Sequence, residues 1–237
     1  MCWSPTADLV AGTVVGAIGV VVLVHVRRPR DLPLACLPLV LGAHQLIESI
    51  VWRGAQGTVS PHAAHLAVLL WTAIAFPLLP AYVPLAVLCA IWPQRSARLR
   101  VLPLCVLGLA SSAILAYAMA TNPVYAVPMG HVLTYSLQIP AVNLVVAGYI
   151  LSTLGAPLIS GDRDLRLFGL TAAVGAAVCM VLWELAFAST WCAVAALTSL
   201  TLLQWVRRDQ NPTRPPSGPH EPTTQALDRT GISGVAM

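Results

Sequence analysis

Seven apolar runs, each of about the length that crosses a bilayer, follow one another down this chain, and short arginine clusters close every second one. No other feature constrains the fold as strongly. A backbone in hydrocarbon must satisfy its own hydrogen bonds, and a continuous apolar run of this length does so as a helix. The runs fall at residues 8–26, 33–52, 63–92, 101–121, 135–157, 167–187 and 189–206. Only 9% of the residues are charged and 57% are hydrophobic, whereas soluble domains carry roughly a quarter charged residues. So few charges cannot cover a globule in water. The chain reads as a multi-pass membrane protein whose first partner is the lipid bilayer.

All 13 basic residues are arginine, and they mark topology. Arg27, Arg28 and Arg30 follow the first run, Arg95, Arg98 and Arg100 the third, Arg163 and Arg166 the fifth, and Arg207 and Arg208 the seventh. The opposite ends carry only Arg53. Basic loops stay in the cytoplasm, so the expectation is an all-α bundle of seven transmembrane helices, N-terminus outside and C-terminus inside. Residues 1–206 form the transmembrane domain. Residues 207–237, rich in Pro, Thr and Ser, read as a disordered cytoplasmic tail. The arginines follow the first apolar run instead of preceding it, so no cleavable signal peptide is expected. Trp3, Trp52 and Trp191 are expected in an aromatic belt at the outer interface, and Trp92 and Trp205 at the inner one.

The third run is too long for one straight crossing, and Pro77, Pro80 and Pro84 interrupt it. The expectation is one kinked crossing, since proline removes a donor and clashes with the preceding turn. Gly12 and Gly16 form a small-xxx-small pair that suits close helix packing, and Ala172, Ala173, Ala176 and Ala177 offer a similar face on the sixth run.

Against this background the stretch GAHQLIESIVWR, residues 42–53, stands out. His44 and Glu48 lie one helical turn apart and point the same way. With the expected topology, Glu48 and Glu184 lie at similar depth in the outer half. His131 occupies an outer connection and His65 opens the third run. Asp8 and His62 read most simply as residues of the water surface, Asp8 favoured by its helix N-terminus. An ionised side chain at the bilayer centre costs at least about 2.5–3.5 kcal/mol, so such groups face a bundle interior and mark function. Imidazole and carboxylate together suit a divalent metal, with His44, Glu48, His65, His131 and Glu184 as candidate ligands. No H-E-x-x-H or paired C-x-x-C motif reinforces that reading. Cys36, Cys89, Cys105 and Cys179 read as small apolar packing residues. Cys2 and Cys192, both expected outside, are candidates for a disulfide.

Several stretches resemble a family of bacterial multi-pass membrane proteins of unknown function. Its members open Met-Cys-Phe-Ser, where this chain reads MCWS, and carry Gln-Gln-x-x-Glu-Gly-x-x-Trp in the second span, where this chain reads HQLIESIVW. PAYVPLAV, HVLTY and TWCAVAALTS also resemble that family's signatures. The resemblance implies a bacterial inner-membrane location and a shared role for Glu48, Trp52, His131, Trp191 and Cys192. It implies no activity. His44 and Ser49 depart from the pattern, which moves the weight from a metal shell to a hydrogen-bonding pocket.

The functional expectation is an outward-facing polar pocket of Glu48, His131 and Glu184, bordered by His44, Trp52 and Trp191, that binds a small ligand, an ion or a proton. One alternative is an intramembrane metal-dependent hydrolase of lipid-like substrates. Another is a structural protein whose polar residues hold helices together. Nucleic acid is excluded as a partner, because no basic patch interleaves with aromatics. Nucleotides have no glycine-rich phosphate loop to bind.

Overall fold

In a computed structural model, which describes residues 4–129, 132–181 and 187–209, the chain is mostly helical. Helix α1 (Pro5–Val24) starts where the Ser4 hydroxyl accepts the Ala7 N–H and Pro5 occupies the first turn, a donor-free position that proline suits. A short linker, containing a 3-10 turn at Pro29–Asp31 and α2 (Leu32–Ala35), leads into α3 (Leu37–Ala55). Helix α4 (Pro61–Ala73) is capped by Ser60 in the way Ser4 caps α1. It runs through a π-turn at Ile74–Leu78 into α5 (Leu79–Ala90). Then come α6 (Arg95–Thr121), strands β1 (Tyr125–Met129) and β2 (Val132–Ser136), α7 (Val142–Ile159), α8 (Arg163–Val181) and α9 (Phe187–Asp209). Sequential helices pack as neighbours, and α9 returns to α1 to close the bundle.

Among the described residues, five helical stretches are long and apolar enough to cross a membrane: Pro5–Val24, Pro29–Ala55, Pro61–Ala90, Arg95–Thr121 and Val142–Ile159. In lipid, helices gain little from burying apolar surface, because the tails are as apolar as leucine. Close packing therefore matters more, and the glycines show where it occurs. A Cβ on Gly12 would stand 2.9 Å from the Gly42 carbonyl oxygen, and one on Gly42 would stand 2.7 Å from the Gly16 nitrogen. Gly42 of α3 thus sits against the Gly12–Gly16 turn, but a Cβ on Gly16 would meet nothing, and the second tight position on α1 is Gly19, whose Cβ would stand 2.8 Å from the Leu39 nitrogen. On α8 the close approach is at Gly175, whose Cβ would meet Val194 at 2.4 Å.

The third run is one helical path of 30 residues with a break in its middle. Proline at 77 and 80 deprives earlier carbonyls of their usual donors, and other helices donate to carbonyls in this break. Tyr149 of α7 donates to the Ala75 carbonyl at 2.9 Å, and Ser112 of α6 donates to that of Pro77 at 2.5 Å. Gly108 of α6 lets the two helices meet there, since a Cβ at that position would stand 2.0 Å from the Pro80 oxygen. The kink is thus held by three neighbours and is not a loose joint.

Two expectations change. The chain is not entirely α-helical, because Tyr125–Met129 and Val132–Ser136, which lie in a stretch read as a connection and the start of a helix, pair as antiparallel strands. Tyr125 pairs with Ser136 and Met129 with Val132. The fifth run also begins later than residue 135, at Val142, just beyond Pro140.

The apolar side chains form two clusters. The larger includes Val83 and Val87 of α5, Val101 of α6, Phe168 of α8 and Leu202 of α9. The smaller joins Val51 and Trp52 of α3, Ala67 and Trp71 of α4, Val124 just before β1, and Leu133 of β2.

Candidate functional site

The buried residues of α1 fall at Asp8, Gly12, Val15, Gly19 and Val22, a stripe with alternating steps of four and three that faces α3. Asp8 sits on that stripe and is fully buried, at 0% exposure. The expectation of a water-surface aspartate is therefore corrected. The reason is register: one turn before Gly12, Asp8 shares the face that packs against α3. Helix α3 answers with its own polar stripe, burying His44, Gln45, Glu48 and Ser49 ahead of Trp52. Glu48 is 3% exposed.

A stack of rings closes the cluster from above. Trp71 of α4 lies between His44, with ring centres 4.6 Å apart, and Tyr135 of β2, with ring centres 3.6 Å apart and the planes parallel to within 2°. Tyr135 arrives there by strand alternation: Leu133 is buried and Tyr135 half-buried, whereas Thr134 and Ser136 point out. The Glu48 carboxyl faces the Trp71 indole. Burial raises the Tyr135 phenol pKa far above its ordinary value, and the nearby Glu48 and Asp8 carboxylates raise it further. One phenol thus feels acids from two different helices.

Polar atoms here are buried without partners. Among the described residues, His44 Nε2, both side-chain atoms of Gln45, Trp52 Nε1 and the Tyr135 hydroxyl make no hydrogen bond. Each such group costs about 1–3 kcal/mol if left unmatched. Neighbouring hydroxyls behave differently. Ser49 donates to the Leu46 carbonyl at 2.7 Å and Thr72 to that of Val68 at 2.8 Å. The unmatched atoms are therefore specific to this cluster.

Of the residues expected from the sequence, the structure brings His44, Glu48 and Trp52 together. Trp52 is buried in the smaller core and not in an interfacial belt, because its turn of α3 faces α4 and the hairpin. Trp205 is likewise buried, whereas Trp92 is exposed and lies under the Arg98 guanidinium at 4.7 Å. His62 and His65 are exposed on the first turn of α4. Among the described residues no three of His, Cys, Asp and Glu gather closely enough to hold a metal ion. His131, Glu184, Cys2 and Trp3 lie outside the described residues, as do the side chains of Trp191 and Cys192. Cys36, Cys89, Cys105 and Cys179 are free thiols. Sequence reading missed Trp71, Tyr135 and Gln45 as members of the cluster. The alternation of Leu133, Tyr135 and Leu137 with Thr134, Ser136 and Gln138 was the signal for the second of these.

The family described as a family of unknown function, DUF6629, matches residues 1–217. The chain belongs to that family. No curated protein and no solved structure matches it. The DUF6629 match takes in both the polar cluster and the arginine-rich connections, so both belong to the body of the family's domain.

Proposed function

We propose that this DUF6629 protein is a multi-pass protein of the bacterial inner membrane that takes up a proton or a small cationic solute at Glu48 and Asp8. It crosses the membrane seven times, with the arginine-rich connections in the cytoplasm and the hairpin outside. The carrying observation is that two carboxyl groups, one from α1 and one from α3, are buried beside the same Tyr135 phenol. Asp8 and Glu48 both have interaction partners, and two acids held in one buried site change its charge balance when a proton or a cation joins them. The unmatched atoms of His44, Gln45 and Trp52 supply polar contacts to whatever accompanies that charge. His131, four residues before Tyr135 in the chain, and Glu184 complete the outward-facing site in this reading.

Tryptophan fluorescence tests it, because Trp52 and Trp71 lie in the cluster. The purified protein should show a pH-dependent change that sodium or tetramethylammonium displaces. Glu48→Gln should abolish the change while leaving thermal stability nearly intact. Identical titration curves for the native protein, Glu48→Gln and Asp8→Asn would sink the proposal. Elemental analysis runs alongside: stoichiometric divalent metal that disappears in Glu48→Gln would replace this reading with the metal-dependent hydrolase.

A further inference from the structure

The polar cluster is closed: Asp8, His44 and Glu48 are all buried. A charge arriving from water has to be let in. The three helices that contribute to the cluster, α1, α3 and α4, each belong to a stretch long and apolar enough to cross a membrane. Moving one of them would disturb packing along its whole length. Strand β2 is the contributor that lies outside those stretches. It places Leu133 in the smaller apolar cluster and lays the Tyr135 ring on Trp71. We infer that the paired strands β1 and β2 form a lid over this site, latched by Tyr135 on Trp71 and set against backbone strain at Ala141. The inference rests on the reading that a proton or cation reaches Glu48 and Asp8 from outside.

The two attachments of the strand pair are built differently. On the α6 side the chain is pinned. The Asn122 backbone N–H and its side-chain amide both donate to the Ala118 carbonyl, at 3.0 and 2.9 Å. Val124, two residues on, is buried in the smaller cluster. On the α7 side stands Ala141, with φ 47° and ψ 45°. Among the described residues it is the one non-glycine with a positive φ. That left-handed conformation crowds an alanine Cβ against the following carbonyl oxygen.

Ala141 also precedes the first turn of α7, where Ser, Thr, Asp or Asn would cap a free N–H. Alanine supplies no cap. Helices α1 and α4 begin with capping serines, Ser4 and Ser60. The start of α7 therefore carries a conformational cost that those two starts avoid. Strain of this kind persists only where the surrounding structure holds it, and the seating of β2 on Trp71 supplies the hold. The pairing from Tyr125 with Ser136 to Met129 with Val132 lets the strands move as one piece. The ring stack draws the lid shut, and Ala141 relaxes when it lifts. A latch alone would trap its charge; the strained attachment keeps the open state within reach.

The test puts a reporter in the covered site. The full chain carrying Glu48→Cys, in maltoside micelles, is treated with a trimethylammonium methanethiosulfonate, and modification at position 48 is followed by peptide mass spectrometry. Slow modification is expected. Adding Tyr135→Ala removes the latch and should speed it at least about tenfold. Adding Ala141→Gly should slow it about threefold to tenfold, because glycine adopts the left-handed conformation without steric cost. Adding Ala141→Val should speed it, since a β-branched residue tolerates that conformation worst. Modification of the parent as fast as that of an exposed thiol would overturn the lid. A rate indifferent to Tyr135→Ala, or one that Ala141→Gly leaves unchanged or raises, would overturn it equally. Should Glu48→Cys fail to fold, His44→Cys, on the same stripe against Trp71, takes its place. The labelling needs no bound cation. Failure of the underlying site would show separately, as a missing fluorescence titration in the protein that keeps Glu48.

Discussion

The two ends of this bundle treat polar groups in opposite ways. At the arginine end charges are exposed or paired: Arg208 meets Asp164 at 3.0 Å, Arg98 lies over Trp92, and Asp162 caps a helix. At the hairpin end the polar groups are buried, and several neutral donors have no partner among the described residues. The first arrangement is what helix ends in contact with water and headgroups need, and it contributes mainly to topology. The second carries a stability cost at the donors that have no partner among the described residues, and such costs concentrate where function requires them. The difference locates the functional bet at the hairpin end without recourse to any motif.

The comparison can be broken most directly at its two tryptophans. Trp71→Ala should destabilise the protein by about 3–5 kcal/mol, or prevent its isolation, because it empties the centre of the ring stack. Trp92→Ala, at a residue 56% exposed, should cost less than about 0.5 kcal/mol. Thermal unfolding in detergent reads both, and equal losses would mean the ends do not differ as described. Glu48→Gln separates function from stability next. It keeps the shape of the side chain and should change unfolding by no more than about 1–2 kcal/mol in either direction while removing the fluorescence titration. At the other end Arg208→Gln should cost at most about 1 kcal/mol, since its partner Asp164 is reached from an exposed position. Its loss should shrink with added salt.

The smallest effect belongs to Tyr135. Its hydroxyl has no partner among the described residues, so Tyr135→Phe should leave neutral-pH stability unchanged or slightly higher. The alkaline side distinguishes the variant. A phenol whose pKa is raised in the folded state contributes stability below the unfolded value and loses it as pH climbs past about 10. Native unfolding temperatures should therefore drop there more steeply than those of Tyr135→Phe. Parallel curves would show that the phenol is not buried beside Glu48 and Asp8.

Much of the helical frame was legible because the constraint is severe: long apolar runs leave few alternatives, and arginines punctuate them. The inward face of α3 was legible for the same reason, since a glutamate and a histidine one turn apart in such a run must turn from lipid. Tyr135 was harder to find. Tyr125–Met129 and Val132–Ser136 are short strands, the first containing Pro128, and a two-stranded sheet is marginal unless something supports it. The support comes from Trp71, 64 residues before Tyr135 in the chain and invisible to local pattern. Asp8 failed for a different reason. Its position suggested a helix end in water, and only the glycine stripe of α1, read in register, places it inside.

The π-turn at Ile74–Leu78 has a consequence for how the two ends are keyed to each other. A π-turn holds one residue more than the α-helix it interrupts, and each residue advances the helix by about 100°. The segment therefore acts as a phase key between α4, which presents Trp71 to His44 and Tyr135, and α5, which sits in the larger core. Removing a single residue there would rotate Trp71 by about 100° around the helix axis with α5 left in place. The ring stack would come apart although none of its members had been altered.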